Sequence, residues 1–259
     1  MAALLLVPLS FNAFAATGGH GRAKPTIVLV HGAWADGSSW NEVTQRLLRD
    51  GYSVRVPPNN LRSLPADSAT IADFIGTLSG PIVLVGHSYG GAVITNAATG
   101  NPAVKALVYV DAFAPDENET VLPLAGPDSA LAVDPTTVFD FVPYPNAPAG
   151  DVDLYLKRDT FFTSFANGVD RDTTALLYAG QRPWALSAGS QPAGVPAWKT
   201  IPSWFALGTK DKVIPPAQQR FMAERAGARI VEVNAGHLSM ISRPGPVTDL
   251  IERAARRTA

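Results

Sequence analysis

From Pro25 onward the chain alternates short apolar runs with stretches of helical period, and this alternation constrains its fold more than any other feature. The runs "TIVLV" (26–30), "YSVRVP" (52–57), "PIVLVG" (81–86), "VKALVYVD" (104–111), "IPSWFALG" (201–208) and "ARIVEVNAG" (228–236) are rich in β-branched and aromatic residues. The first, a short continuous apolar run, suits a strand buried on both faces, and the others read as strands of the same pattern. Between them, apolar residues recur every three or four positions. Segment 38–50 places Trp40, Val43 and Leu47 on one face. "DSATIADFIGTLSG" (67–80) does the same with Ile71, Phe74, Ile75 and Leu78, with Asp67 or Ser68 as N-cap and Gly80 as the stop. Segments 90–99, 216–227 and 244–257 also read as helices. Strands alternating with helices pair in parallel through right-handed crossovers. The expected fold class is therefore α/β, with a mostly parallel sheet of about six strands flanked by helices.

The interval 112–200 breaks the rhythm. It holds 11 of the 22 aromatic residues and ten prolines. An insertion of that size between two core strands is too long for a loop, so it reads as a helical cap over one end of the sheet. Helical pieces are expected around 151–166 and 171–180. The core then comprises 25–111 and 201–259. Ahead of it, "ALLLVPLSFNAFA" has the length of a signal-peptide apolar region and ends in the small-x-small pattern Ala13-Phe14-Ala15. Residues 1–15 are thus expected to be cleaved and the protein exported, although positive charges before the run are missing. Residues 16–24 form a leader. The apolar run is too short to span a bilayer.

Composition narrows the function. With 46% hydrophobic and 17% charged residues, the chain suits a globular enzyme. A net charge of −1 without a basic stripe argues against a nucleic-acid partner. The absence of cysteine excludes disulfides, a thiol nucleophile and thiolate metal sites. No metal-ligand, phosphate-loop or dinucleotide motif is present, so no cofactor is expected.

A strand ending at Val85 and a helix starting near Gly90 put "GHSYGG" (86–91) on the turn between them. Gly-x-Ser-x-Gly alone is a weak signal. On a tight strand-to-helix turn it makes a nucleophile: Ser88 is held at strained angles, and small residues two positions either side, Gly86 and Gly90, avoid clashes. Gly91 lets the helix approach the sheet. Serine needs a base, and the chain has four histidines. His20 stands in the leader, His31 in the first turn, and His87 adjoins the serine with its side chain directed elsewhere. His237, in "NAGHLSM" just past the last predicted strand, is left. An acid must orient that base. Asp211, in "GTKDKVIPP" after the penultimate strand, is the candidate. Asp111, at the end of "ALVYV", is the alternative, and Glu232 within a strand is less apt. Candidate oxyanion donors are the backbone N–H groups of Tyr89 and of Ala33, in the first turn "HGAW" (31–34). His31 supports that turn, and Trp34 either walls the acyl pocket or packs.

The segments "VLVHGAWADGSSW", "VGHSYGG", "GTKDKVIP" and "AGHLSM" together resemble the α/β-hydrolase superfamily. More closely, they resemble the branch of plant-type methyl esterases, hydroxynitrile lyases and bacterial carboxylesterases. The chain order Ser88, Asp211, His237 is the order of that superfamily. In some relatives the acid takes the place of Asp111. Lyases of the branch commonly carry Thr after the first-turn His and Lys after the catalytic His; here these are Gly32 and Leu238, without the cation a cyanide leaving group needs. Ser88 stands where haloalkane dehalogenases carry Asp. The resemblance implies a serine esterase cleaving a small to medium apolar carboxylic ester through an acyl-enzyme. Trp34, Phe113, Trp184, Trp198 and Leu238 are the candidate pocket residues. Perhydrolase, lactonase or amidase chemistry would use the same residues, and a binding protein on this fold is a further alternative.

Overall fold

The computed structural model describes residues 24–258. The signal-peptide reading of 1–15, and the leader except Lys24, lie outside the described residues. Strands β1 (Thr26–Val30), β2 (Ser53–Arg55), β3 (Ile82–His87) and β4 (Val104–Val110) precede the insertion. β5 (Phe139–Val142), β6 (Asp153–Leu156) and β7 (Trp184–Ala185) lie within it. β8 (Ser203–Gly208) and β9 (Arg229–Val233) follow. Six strands form one sheet in the order β2-β1-β3-β4-β8-β9, and every pairing is parallel. All six coincide with the apolar runs of the sequence. β3 is buried along its whole length, as both covered faces require.

The order reverses between β1 and β3: the chain leaves β1 toward β2 on one side, then returns to β3 on the other. Crevices at such a switch point, at the carboxyl ends of the strands, are where open α/β sheets bind ligands. The turns after β1 and β3 meet there.

Three crossover helices set the packing: α1 (Asn41–Arg49), α2 (Leu64–Gly76) and α3 (Tyr89–Ala97). α2 begins earlier than its apolar period suggests, which corrects the expected N-cap. Ser63, not Asp67 or Ser68, caps it, accepting the Ala66 N–H at 3.2 Å, and Pro65 occupies the first turn. Asp67 lies inside the helix, fully buried. The helix also stops at Gly76, four residues before Gly80.

The insertion carries a small antiparallel sheet, β5-β6-β7, and a short helix α4 (Val121–Leu124). The helix expected over 151–166 is corrected: β6 takes its first part, and helical turns begin only at Arg158. Val152, Leu154 and Leu156 alternate with period two, a strand signal masked by the neighbouring "FFTSF". Helix Arg171–Ala179 matches its expected place. Among the described residues, no helix is long and apolar enough to cross a membrane.

Candidate active site

β3 delivers Ser88 at its carboxyl end, and α3 starts at the next residue. Ser88 has φ 51° and ψ −124°, backbone angles that a non-glycine residue adopts only under tertiary constraint. The turn is tight enough to need its flanking glycines. A Cβ on Gly86 would lie 2.5 Å from the Gly90 oxygen, and one on Gly90 would lie 2.5 Å from the Val30 oxygen.

Three side chains from separate loops meet here. The Ser88 hydroxyl donates to Nε2 of His237 at 2.9 Å. Nδ1–H of the same ring donates to Oδ2 of Asp211 at 2.8 Å. Ser88, Asp211 and His237 are all buried, at 2%, 4% and 0% exposure. Asp211 is held in turn by the N–H groups of Val213 and Ile214, at 2.8 and 2.9 Å, and by Nε2 of Gln219 at 2.8 Å. Burial pushes the Asp211 carboxyl up, against the lowering effect of those backbone donors. Burial pushes the His237 imidazolium down to about 3, so the ring rests neutral with Nε2 free to accept a proton.

Neither alternative acid touches the imidazole. Asp111 is fully buried at the end of β4 with φ 45°, and its Oδ2 accepts the Ser239 N–H at 3.1 Å. Burial and then the nearby Asp211 push its carboxyl well above the usual range, so it holds its proton. Glu232 pairs with Arg220 at the surface.

The first turn is built around His31. Its Nδ1–H donates to the Gly32 oxygen and its Nε2 accepts the Asn59 N–H, both at 3.0 Å. Asn59 returns a bond to the His31 oxygen at 3.0 Å. Burial keeps this imidazole below its ordinary range, hence neutral. The turn brings Ala33 to the same small chamber as Ser88 and Tyr89. Tyr89 opens α3, so its N–H has no partner carbonyl within the helix.

Trp34, Phe113 and Trp184 line that chamber. Trp198 and Leu238 do not. Trp198 is turned away, its Nε1–H given to the Pro115 oxygen at 3.0 Å and its ring faced by Lys199 and Arg225. Leu238 packs into the core, and its carbonyl starts the turn that follows, accepting the Ile241 and Ser242 N–H groups.

Three supporting residues escaped the sequence reading. Gln219 braces Asp211 from the helix Pro216–Arg225. His87 donates from Nε2 to the carbonyl oxygen of His237 at 2.9 Å, fixing the base's backbone. Asp67 accepts the Tyr89 hydroxyl at 2.7 Å. Only the last left a trace in the sequence: a carboxylate four residues ahead of an apolar helical stripe.

A wholly parallel sheet with a strained serine at the switch point, bonded to a histidine and an aspartate in that spatial order, defines an α/β hydrolase as a class. Comparison agrees: the chain belongs to the Alpha/beta hydrolase family, whose model matches residues 27–250. It is similar to the carbendazim hydrolyzing esterase of Nocardioides sp. (strain SG-4G), 34% identical over 110 residues, and spans less than half of that protein (38% of this chain, 46% of the other). It is also similar to the alpha/beta hydrolase nvfD of Aspergillus novofumigatus (strain IBT 16806), 28% identical over 253 residues covering 90% and 97% of the two chains. Among solved structures, polyneuridine aldehyde esterase superposes with a TM-score of 0.75 at 18% identity, covering 89% of this chain and 99% of that one. The family and its esterase relatives support hydrolase activity.

Proposed function

We propose that the protein is a serine carboxylic-ester hydrolase, with Ser88 as nucleophile, His237 as base and then acid, and Asp211 as orienting carboxylate. The observation that carries this is the hydrogen-bonded series Ser88–His237–Asp211, with the serine on a strained turn. Ser88 Oγ attacks the ester carbonyl carbon as its proton passes to His237 Nε2. The oxyanion is received by the N–H groups of Ala33 and Tyr89, each such donor worth on the order of 3 kcal/mol. The ester C–O bond breaks, and the alcohol leaves with the proton held by His237. Water then gives a proton to His237 and attacks the acyl-enzyme, releasing the acid and restoring Ser88. Asp211 keeps Nδ1 protonated throughout, so that Nε2 is the basic atom.

The test is hydrolysis of 4-nitrophenyl esters of graded acyl length by wild type and Ser88→Ala. A loss of at least roughly 10³-fold in the variant is expected. Equal rates in the two proteins would dismiss Ser88 as the nucleophile.

A further inference from the structure

The cavities around Ser88 carry information about the substrate, given the ester-hydrolase assignment above. The chamber at Ser88 measures only about 10 Å³, room for about one water molecule. No acyl group fits until a wall gives way. Two larger cavities border it. One, of about 400 Å³, lies beyond Trp34 and includes Asp36, Ser38 and Glu42 in its wall. The other, of about 230 Å³, is lined only by apolar residues, Pro135, Phe139, Phe141 and Leu154 among them. It shares Leu122, Ala125 and Leu131 with the chamber.

The two partitions differ in how firmly they are held. Trp34 donates its Nε1–H to the Leu154 oxygen at 2.9 Å, and its ring meets those of Phe139, Phe165 and Trp184 at 5.8, 5.7 and 5.4 Å. Moving it breaks a buried hydrogen bond and three ring contacts. The aliphatic partition has no side-chain hydrogen bond to lose. On it, Leu131 is anchored through its N–H to Ser129 Oγ, itself bonded to the Val213 oxygen at 2.6 Å. Leu122 is the freer member: half-buried, on the four-residue α4. Turning it costs a rotamer change.

Position separates the acyl side from the alcohol side. The leaving alcohol must sit at His237 Nε2, yet neither His237 nor Phe165, whose ring is 5.4 Å from it, borders the apolar cavity or the chamber. The candidate oxyanion residues Ala33 and Tyr89 do border the chamber. No charged side chain lines either space, so a charged chain placed there would be left unsolvated. Phe141, 43% exposed, gives the outer cavity an apolar rim.

We propose that the 230 Å³ cavity seats the acyl chain and that Leu122 is the side chain that admits it to Ser88, so that the preferred substrates are esters of uncharged, medium-chain acids. The test compares kcat/KM for 4-nitrophenyl octanoate and acetate in wild type, Leu122→Trp and Leu122→Ala. Leu122→Trp is expected to lower the octanoate-to-acetate ratio at least about tenfold, while Leu122→Ala does not lower it. A ratio within about twofold of wild type in Leu122→Trp, or an equal fall in both variants, overturns the proposal. Ethyl octanoate and octyl acetate check the side. Leu122→Trp should impair the first, and equal impairment of the second overturns the acyl assignment. If Ser88→Ala hydrolyses the esters as fast as wild type, it is the assignment of Ser88 as nucleophile that fails. The cavity is then read by binding of 1-bromooctane to Ser88→Ala, followed as tryptophan quenching. Weakening at least about tenfold on adding Leu122→Trp supports the seat, and unchanged binding overturns it.

Discussion

At the scale of single residues, the site is governed by charge kept out of a dry pocket. His237 has no exposure, and burial lowers its imidazolium to about 3. A base must be unprotonated to take the Ser88 proton, so activity falls only as pH drops through the histidine's own value. The acid limb of kcat/KM for 4-nitrophenyl acetate should therefore be centred below 6.5, the ordinary histidine value. A limb centred at or above it would show an imidazole stabilised in its charged form. Ser88, Asp211 and His237 were legible because each sits in a short stretch whose local chemistry marks a turn after a strand. Gln219, His87 and Asp67 were not, because what each does depends on which atom the fold brings opposite it. Trp198 and Leu238 mislead for the same reason: an aromatic in the insertion and a neighbour of the base satisfy position in the chain, but not direction of the side chain.

At the scale of elements, the loop ahead of α2 joins the insertion to the core. The Leu61 oxygen accepts the Ala185 N–H at 3.0 Å, and the Arg62 oxygen accepts the Ser187 hydroxyl at 2.7 Å. The Arg62 side chain pairs with Asp153 of β6 at 2.7 Å and donates to the Pro183 oxygen at 3.3 Å. Its backbone N–H donates to Asp67, which also receives the Tyr89 hydroxyl. Arg62→Ala leaves the nearly buried Asp153 without its cation. The expected cost is about 1–2 kcal/mol in urea unfolding, with faster proteolytic cleavage within 112–200. Stability and cleavage equal to wild type would show that the loop does not fasten the insertion. The central strands β1, β3, β4 and β8 were readable because burial on both faces writes a nearly uninterrupted apolar run, and the edge strands β2 and β9 because short β-branched stretches mark them despite the exposed Ser53, Arg55, Arg229 and Glu232. β6 was hidden because its three alternating residues adjoin a helical segment, and the start of α2 because capping by Ser63 falls ahead of the apolar stripe.

At the scale of the whole molecule, folding encloses ionisable groups in forms they do not hold in water. His31, His87 and His237 are all pushed down, chiefly by burial. Below pH 6.5 the unfolded chain takes up protons on these rings that the folded chain refuses, so their contribution to stability falls as pH falls toward each folded value. Asp67 and Asp111 are pushed up and act in the opposite sense: the folded chain keeps their protons as pH rises past the ordinary carboxylate range. One ring can be separated from the rest. In His87→Gln the amide can still donate to the His237 carbonyl, while the titrating group is gone. Between pH 6 and pH 5 the urea-derived stability of this variant should change with a slope more favourable to acid than wild type, by up to about 1.4 kcal/mol per pH unit. Parallel slopes would mean that His87 takes up its proton as readily in the folded protein as in the unfolded one.

The Arg62–Asp67–Tyr89 series bears on how such a protein can be recombined. The insertion 112–200 looks like an exchangeable module, since it enters and leaves between two core strands. One of its fastenings, however, lies in the core loop and runs on to the residue after Ser88. A chimaera that imports a foreign insertion onto this sheet would inherit mismatched fittings unless residues 59–67 travelled with it. The transferable unit is discontinuous, and its smaller piece is carried by the core chain ahead of the nucleophile turn.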